Sequence, residues 1–129
     1  TVGDHFYSNF NLTIVDDVSV TIGNCVMCAP NVTISTTGHP VHPYYRTRGA
    51  HFSLPIVIED NVWIGANVMI MPGVTIGKNS VIGAGSVVTH DIPADVVAFG
   101  TPCRVIRPIT DADLETIRPG ATINEDWNW

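Results

Sequence analysis

Apolar residues recur at every sixth position through the middle of this chain. Branched aliphatic side chains occupy one place in six successive hexads, at Ile58, Ile64, Ile70, Ile76, Ile82 and Val88. Valine, serine or isoleucine follows four positions later, and glycine, asparagine or aspartate follows three positions later, at Asn61, Asn67, Gly73, Asn79, Gly85 and Asp91. The latter types tolerate a positive φ. The pattern therefore predicts short strands, each closed by a tight turn.

A repeat this short cannot bury its apolar side chain alone, so the hexads must stack as the coils of a solenoid. The register extends upstream through Ile22-Gly23-Asn24-Cys25-Val26-Met27. It places Cys28 inward and Cys25 in a turn, which favours packing roles over a redox pair or half a zinc site. Positions that face outward are also apolar, at Met27, Val57, Trp63, Met69, Val81 and Val87. Such stripes predict contact with other subunits, most simply in a symmetric homo-oligomer.

The repeat is interrupted twice. Extrapolation back from Ile22 would bury Asp16, so the segment 10–20 must shift phase, and a bulge would turn either Asp16 or Asp17 outward. A second interruption, 36–55, is an insertion with three prolines, three histidines and two arginines. Loops this long in a regular fold are more often functional than idle. Pro40 and Pro43 exclude a regular helix that would carry both His39 and His42.

Composition narrows the class of protein. The chain has 129 residues, of which 45% are apolar and 14% charged, as expected for one compact domain. Its formal net charge of −6 disfavours nucleic acid and anionic membranes as partners. No apolar run reaches the length of a membrane span, and three cysteines suit a reducing compartment. We therefore expect a soluble, cytoplasmic protein.

Several segments together resemble a known family. They include Phe6-Tyr7-Ser8-Asn9-Phe10-Asn11, Gly38-His39-Pro40-Val41-His42, Asn61-Val62-Trp63-Ile64-Gly65 and Gly100-Thr101-Pro102-Cys103-Arg104-Val105-Ile106-Arg107. These resemble the galactoside and maltose O-acetyltransferases, a group of hexapeptide-repeat acyltransferases, and the galactoside type is the nearer pattern. The resemblance covers the chain up to about Pro108.

The resemblance implies an all-β fold, a left-handed parallel β-helix of triangular section with three hexads to a coil. Residues 1–108 would form this domain, with the inserted loop 36–55, and residues 109–129 a C-terminal helix and tail. The helix should run over 110–118, with Thr110 as its cap and Pro119-Gly120 at its end. The family's N-terminal helical segment and initial coil would precede the start of this sequence.

The resemblance further implies transfer of an acetyl group from acetyl-CoA to a sugar hydroxyl, without a metal, in a homotrimer with active sites between subunits. His39 matches the family's general base, and Asn9 and Asp17 match residues that position acetyl group and acceptor. His51 stands near the acceptor pocket, where the galactoside type often has Met. The positions expected to contact the cofactor are Asn9, Trp63, Ala66, Ala84, Thr89, His90, Arg104 and Arg107. Trp63 also matches an aromatic wall of the acceptor site, and His90 replaces a lysine of many relatives.

Two other classes of function stay open at this point. A γ-carbonic-anhydrase-like metalloenzyme would use the same solenoid and bind zinc through histidines, for which the chain offers His5, His39, His42, His51 and His90. A catalytically inert, truncated solenoid is the other alternative. The acetyltransferase is favoured because His39, Trp63 and the two arginines all stand at matching positions.

Overall fold

The computed structural model describes residues 1–115 and 118–125, in which short strands form three sheets around one core. Face 1 contains, in order, β1 (Tyr7–Ser8), β4 (Met27–Cys28), β9 (Trp63–Ile64), β12 (Val81–Ile82), β14 (Val96–Gly100) and β15 (Cys103–Pro108). Face 2 contains β2 (Thr13–Val15), β5 (Thr33–Ser35), β10 (Met69–Ile70) and β13 (Val87–Val88). Face 3 contains β3 (Val20–Ile22), β8 (Ile56–Ile58) and β11 (Thr75–Ile76).

Neighbouring strands on these faces are parallel, except that β15 returns antiparallel to β14. The chain passes from face 1 to face 2 to face 3 in each coil, so the fold is the predicted left-handed parallel β-helix. We name its corners edge 1–2, edge 2–3 and edge 3–1 after the faces that they join. No helix in the described part of the chain is long and apolar enough to cross a bilayer.

The core confirms the hexad register. All the aliphatic positions from Ile58 to Val88 are at most 2% exposed, as are Val62, Val68 and Val74 behind them. Cys28 is 1% exposed, whereas Cys25 is exposed in a turn with φ 56°, as predicted. Because Cys28 is in the core and Cys25 is on the surface, the two sulfurs do not face each other, which removes the redox-pair interpretation.

Hydrogen bonds between turns measure the length of each coil. Asn61 and Asn79 are 18 positions apart, which is three hexads. The corresponding offset is 20 for Asn11 and Asn31, 36 across the insertion, and 16 for Asn79 and Asp95. Every deviation from 18 arises at edge 2–3, since the other two edges keep their spacing from coil to coil.

Two predictions about this edge were wrong. Ile92 pairs with Ile76, so the corner after Val88 is two residues shorter than a regular one, and the last hexad is out of register. Asp91 consequently does not adopt a positive φ, and Asp95 does instead, at 60°. In the first coil, β2 pairs with β5 without a bulge. Two extra residues lengthen the corner, and Asp16 and Asp17 are both exposed.

The outward apolar residues form two rows. Trp63 pairs with Met27 and Val81 on face 1, and Met69 pairs with Val87 on face 2, as predicted. Val57 lies apart on face 3, where its partners are threonines. The rows of outward apolar residues therefore lie on faces 1 and 2.

The predicted C-terminal helix is shorter than expected. A 3₁₀ turn, Asp111–Leu114, follows Thr110, and Glu115 and Arg118 are not helical. The remainder of that prediction, at 116–117, and the tail 126–129 lie outside the described residues. A 3₁₀ turn suits this segment because Asp113 bonds back to the Thr110 N–H and so tightens the chain.

Candidate active site

The inserted loop leaves the β-helix at edge 2–3 and folds on its own base. β6 (Thr37–Gly38) and β7 (Phe52–Ser53) form an antiparallel pair, and α1 (Pro43–Arg46) is the single helical turn at the loop's far end. Thr36 is fully buried, and its Oγ1 donates to the Val15 carbonyl at 2.9 Å. Its own carbonyl accepts the Leu54 N–H at 2.8 Å. These bonds attach the start and end of the loop to the first coil.

His39 comes directly after β6 and is held by the returning strand of the loop. Its Nδ1 lies 3.0 Å from the carbonyl oxygen of Ala50. Because a carbonyl oxygen can only accept, the ring proton belongs on Nδ1, and Nε2 keeps its lone pair. The ring is exposed and lines an open depression of about 720 Å³ with Pro40, Val41 and Arg46. The His39 side chain, held through Nδ1, therefore borders an accessible space.

The Asp17 carboxylate contacts the same hairpin. Thr37 Oγ1 donates to Asp17 Oδ2 at 2.6 Å and lies 3.0 Å from Ser53 Oγ. Thr37, two residues before His39, therefore holds the Asp17 carboxylate, and Ser53 in turn contacts the Thr37 hydroxyl. The sequence reading missed Thr37 and Ser53. The sequence feature that could have identified them is their position near the two ends of the insertion.

The other loop histidines differ from His39. His42 is the N-cap of α1, and its Nδ1 accepts the Tyr44 N–H at 3.1 Å, so its contact is structural. The helix begins after it, which confirms that His39 and His42 do not share a helix. His51 is exposed next to Ala50, whose carbonyl holds His39. It therefore lies one residue from the carbonyl that contacts His39.

A second group of predicted residues lies at edge 1–2. Asn9 stacks above Ala29, and Ala29 above Gly65, through bonds to the strand ends Cys28 and Ile64. The Asn9 Oδ1 accepts the Phe10 N–H at 2.8 Å, which leaves its Nδ2 as a donor. Ala66 and Ala84 follow at the same edge in later coils. A Cβ on Gly65 would lie 2.6 Å from the Ala84 backbone nitrogen, so the backbones of neighbouring coils approach each other closely at this edge.

Trp63 and the two arginines lie on face 1, which adjoins this edge. Trp63 is 53% exposed, and the row across the strands runs from Trp63 through Val81 and Val97 to Arg107. With strands about 4.8 Å apart, Trp63 and Arg107 are roughly 14 Å from each other. Arg104 pairs with Phe99 nearer to edge 1–2. Aromatic, small and cationic surfaces thus adjoin along one side of the β-helix.

The structure does not bring all predicted residues to one place within the chain. Asp17, His39 and His51 lie at edge 2–3, as do Thr89 and His90 in the last coil, where Thr89 Oγ1 lies 2.9 Å from His90 Nδ1. Asn9, Ala66 and Ala84 lie at edge 1–2, on the other side of face 2. One chain therefore presents two half-sets of site residues on two edges.

No three His, Cys, Asp or Glu side chains of residues 1–115 and 118–125 come together in a way that could hold a metal. The five candidate zinc histidines are spread over the first coil, the loop and the last coil. Burial raises the pKa of Cys28 to about 11, which keeps this thiol protonated and a poor ligand at neutral pH. Nothing in the described geometry favours the metalloenzyme.

Comparison with known proteins agrees with the fold. A family model for the bacterial transferase hexapeptide, with six repeats, matches residues 55–90. The galactoside O-acetyltransferase of Escherichia coli (strain K12) is 66% identical over 112 residues, which are 87% of this chain and 55% of that protein. A solved galactoside acetyltransferase in complex with coenzyme A has a TM-score of 0.89 and 57% identity, covering 95% of this chain and 62% of that one.

A maltose O-acetyltransferase from Clostridium difficile 630 has a TM-score of 0.83 and 51% identity, covering 85% of this chain and 59% of that one. The chain thus spans between 55% and 62% of the length of these three relatives. The similar segments include both edges that carry the candidate site. The chain belongs to the galactoside and maltose O-acetyltransferase family of hexapeptide-repeat proteins.

Proposed function

We propose that the protein transfers an acetyl group from acetyl-CoA to a hydroxyl of a sugar, with His39 as the general base. The observation that carries this proposal is the 3.0 Å contact between His39 Nδ1 and the Ala50 carbonyl, which leaves Nε2 free at an open depression. A sugar hydroxyl is a weak nucleophile. A base that removes its proton during attack on the thioester contributes typically ~10² to 10⁴ in rate.

The acceptor sugar binds beside the inserted loop in this proposal. The Asp17 carboxylate, held by Thr37 Oγ1, accepts hydrogen bonds from sugar hydroxyls and so orients the one that His39 deprotonates. His51, next to Ala50 in the loop, contacts the outer part of the acceptor in this proposal. A galactoside is the acceptor class that the similarity to galactoside O-acetyltransferases suggests first.

Acetyl-CoA lies along edge 1–2 in this proposal. The small side chains of Ala66 and Ala84 let the extended cofactor arm lie against the backbone, and Trp63 covers its thioester end. The Asn9 amide donates to the oxygen that becomes negative as the hydroxyl attacks. Arg104 and Arg107 bind phosphate groups by charge-assisted hydrogen bonds, and Thr89 with His90 contributes from the last coil.

A homotrimer reconciles the two edges. His39 and Asn9 lie on opposite sides of face 2, so one chain does not complete the site, whereas edge 2–3 of one subunit and edge 1–2 of another do. The apolar rows on faces 1 and 2 supply surface for such contacts. Sedimentation should report a trimer at micromolar concentration, and a monomer would contradict the shared site.

The activity is tested by release of the CoA thiol from acetyl-CoA in the presence of galactosides, glucosides and amino sugars. The assay should use this chain and any longer product that contains it, with a reaction lacking acceptor as the control. Thiol release that depends on a sugar acceptor is the expected result. Release without acceptor dependence, or none with any sugar, would overturn the proposal.

A further inference from the structure

Arg107 is the last outward residue in the row that begins at Tyr7 and passes through Trp63 on face 1. Its guanidinium binds the Asp113 carboxylate through two parallel bonds, from NH1 to Oδ2 at 2.9 Å and from NH2 to Oδ1 at 2.8 Å. NH1 also donates to the Pro108 carbonyl at 3.1 Å. Three bonds therefore determine where this side chain points.

Asp113 is itself fixed. Its Oδ2 also accepts the Thr110 N–H at 2.9 Å, and the Ile109 N–H bonds to the Asp95 carbonyl at 2.8 Å. These contacts attach the 3₁₀ turn to edge 3–1 of the β-helix. The ion pair lowers the pKa of Asp113, so the carboxylate stays charged at neutral pH. The C-terminal turn therefore holds the Arg107 guanidinium in place through Asp113.

Arg104 provides a contrast on the same strand. Its NH1 donates to the carbonyl of the neighbouring Cys103 at 3.2 Å, and within residues 1–115 and 118–125 it has no carboxylate partner. Among the lysine and arginine side chains of the described residues, Arg107 is the one that forms an ion pair. An exposed ion pair contributes little to stability, and this one is 51% and 32% exposed at its two side chains. The ion pair therefore contributes little to the stability of the fold.

Part of the Arg107 guanidinium has no acceptor among the described residues, which suggests a role in binding a ligand. A guanidinium has five N–H donors. Asp113 and Pro108 take both hydrogens of NH1 and one of NH2, while the described residues offer no acceptor to Nε or to the second hydrogen of NH2. Those two donors form a second planar fork, which matches two oxygens of one phosphate. Fixing one fork removes the rotamer freedom that phosphate binding would otherwise cost.

We propose that Asp113 is a positioning residue, which holds Arg107 so that its Nε–NH2 fork binds a phosphate group of CoA. This inference rests on the proposed function, since it assumes that CoA lies along edge 1–2 with a phosphate group that reaches Arg107 on face 1. It also assigns a role to the turn after the β-helix. The opposite possibility, in which Asp113 competes with phosphate for Arg107, predicts the reverse effect of its removal.

The test is CoA binding by titration calorimetry to the intact chain and to the variants D113A, R107A and D113A/R107A, with R104A as a reference. We expect D113A to weaken CoA about fivefold to tenfold and R107A at least tenfold. The double variant should match R107A alone, because Asp113 acts only through Arg107. Asp113→Glu, which keeps the charge, should recover part of the affinity, and all variants should keep the melting temperature of the parent.

Each other outcome identifies what has failed. Tighter CoA binding by D113A would mean that Asp113 competes with the ligand. An additive loss in the double variant would mean that Asp113 acts independently of Arg107. Either result overturns the inference while R104A still weakens binding as the proposed function requires. If neither the parent chain nor R104A binds CoA, the proposed function fails and the inference with it.

Discussion

Edge 3–1 and edge 2–3 are corners of the same β-helix, yet they are built in opposite ways. Edge 3–1 places one residue with φ between 55° and 64° in each coil, at His5, Cys25, Asn61, Asn79 and Asp95. Asn61, Asn79 and Asp95 continue as a side-chain ladder. Edge 2–3 has a different length in each successive corner, and its described residues with a positive φ are Gly73 and, in the inserted loop, Gly49. The repeat therefore builds one edge, whereas contacts between distant residues build the other.

The largest expected effect on edge 2–3 is that of His39→Ala. If His39 Nε2 takes the hydroxyl proton, its loss should lower acetyl transfer by roughly 10² to 10⁴. CoA affinity should stay within a factor of about two, because the ring acts on the acceptor and not on the cofactor. Steady-state thiol release and calorimetry measure the two quantities.

His42→Ala is the matched control for this substitution, since both histidines lie in the same loop. His42 accepts a backbone N–H at the start of α1, so its removal should loosen that turn and cost far less activity. Equal losses for the two variants would show that loop folding, and not a base at position 39, limits the reaction.

Thr37→Val tests whether edge 2–3 depends on its hydroxyl chain. Valine keeps the shape of threonine but cannot donate to Asp17 Oδ2, and a hydrogen bond to a charged group contributes on the order of 1.5 kcal/mol. Transfer should fall about tenfold by the same arithmetic. Thr47→Val, in the same loop, removes a hydroxyl that donates to the Tyr44 carbonyl at 3.3 Å and should leave activity unchanged. A similar loss in both variants would sink the assignment.

On edge 3–1, substitutions should change stability and not chemistry. Asn79→Ala loses the bonds to Asn61 and Asp95 and places alanine, which tolerates the left-handed region less well than asparagine, at φ 64°; together these changes cost about 2 kcal/mol. Asn79→Gly keeps the backbone conformation and should cost about 1 kcal/mol. Urea unfolding measures both. A fall in activity per folded molecule would remove the distinction between the two edges.

This contrast also explains what the sequence could predict. The core positions from Ile58 to Ile82 follow from periodicity because each coil repeats the same local environment. The position of Ile92 could not be predicted in this way, since its spacing of four from Val88 is also the spacing of Val74 from Ile70. A corner shortened by two residues leaves no mark in the local pattern. Only the pairing of Ile92 with Ile76 reveals it.

The candidate site likewise contains residues that the sequence could predict and contacts that it could not. His39 stood out because it lies in the insertion and matches a family motif. The contacts that hold these side chains join residues far apart in sequence. His39 contacts Ala50, 11 positions away, and Asp17 is held by Thr37, 20 positions away. Such contacts depend on how the loop folds back, and no periodicity encodes them. The role of Asp113 was hidden for the same reason.

The smallest expected effect is a gain in stability from Cys25→Asn on edge 3–1. Cys25 adopts φ 56° directly before Asn61 in the next coil, where asparagine is favoured in that conformation. The new amide could donate to Asn61 Oδ1, for which the described residues show no donor, and so add one rung to the ladder. We expect a gain of about 0.5 kcal/mol in urea unfolding, with transfer activity unchanged. Cys25→Ala should instead destabilise, since alanine pays the left-handed strain without the amide bond. If both variants lost stability equally, the ladder would not be what stabilises this edge.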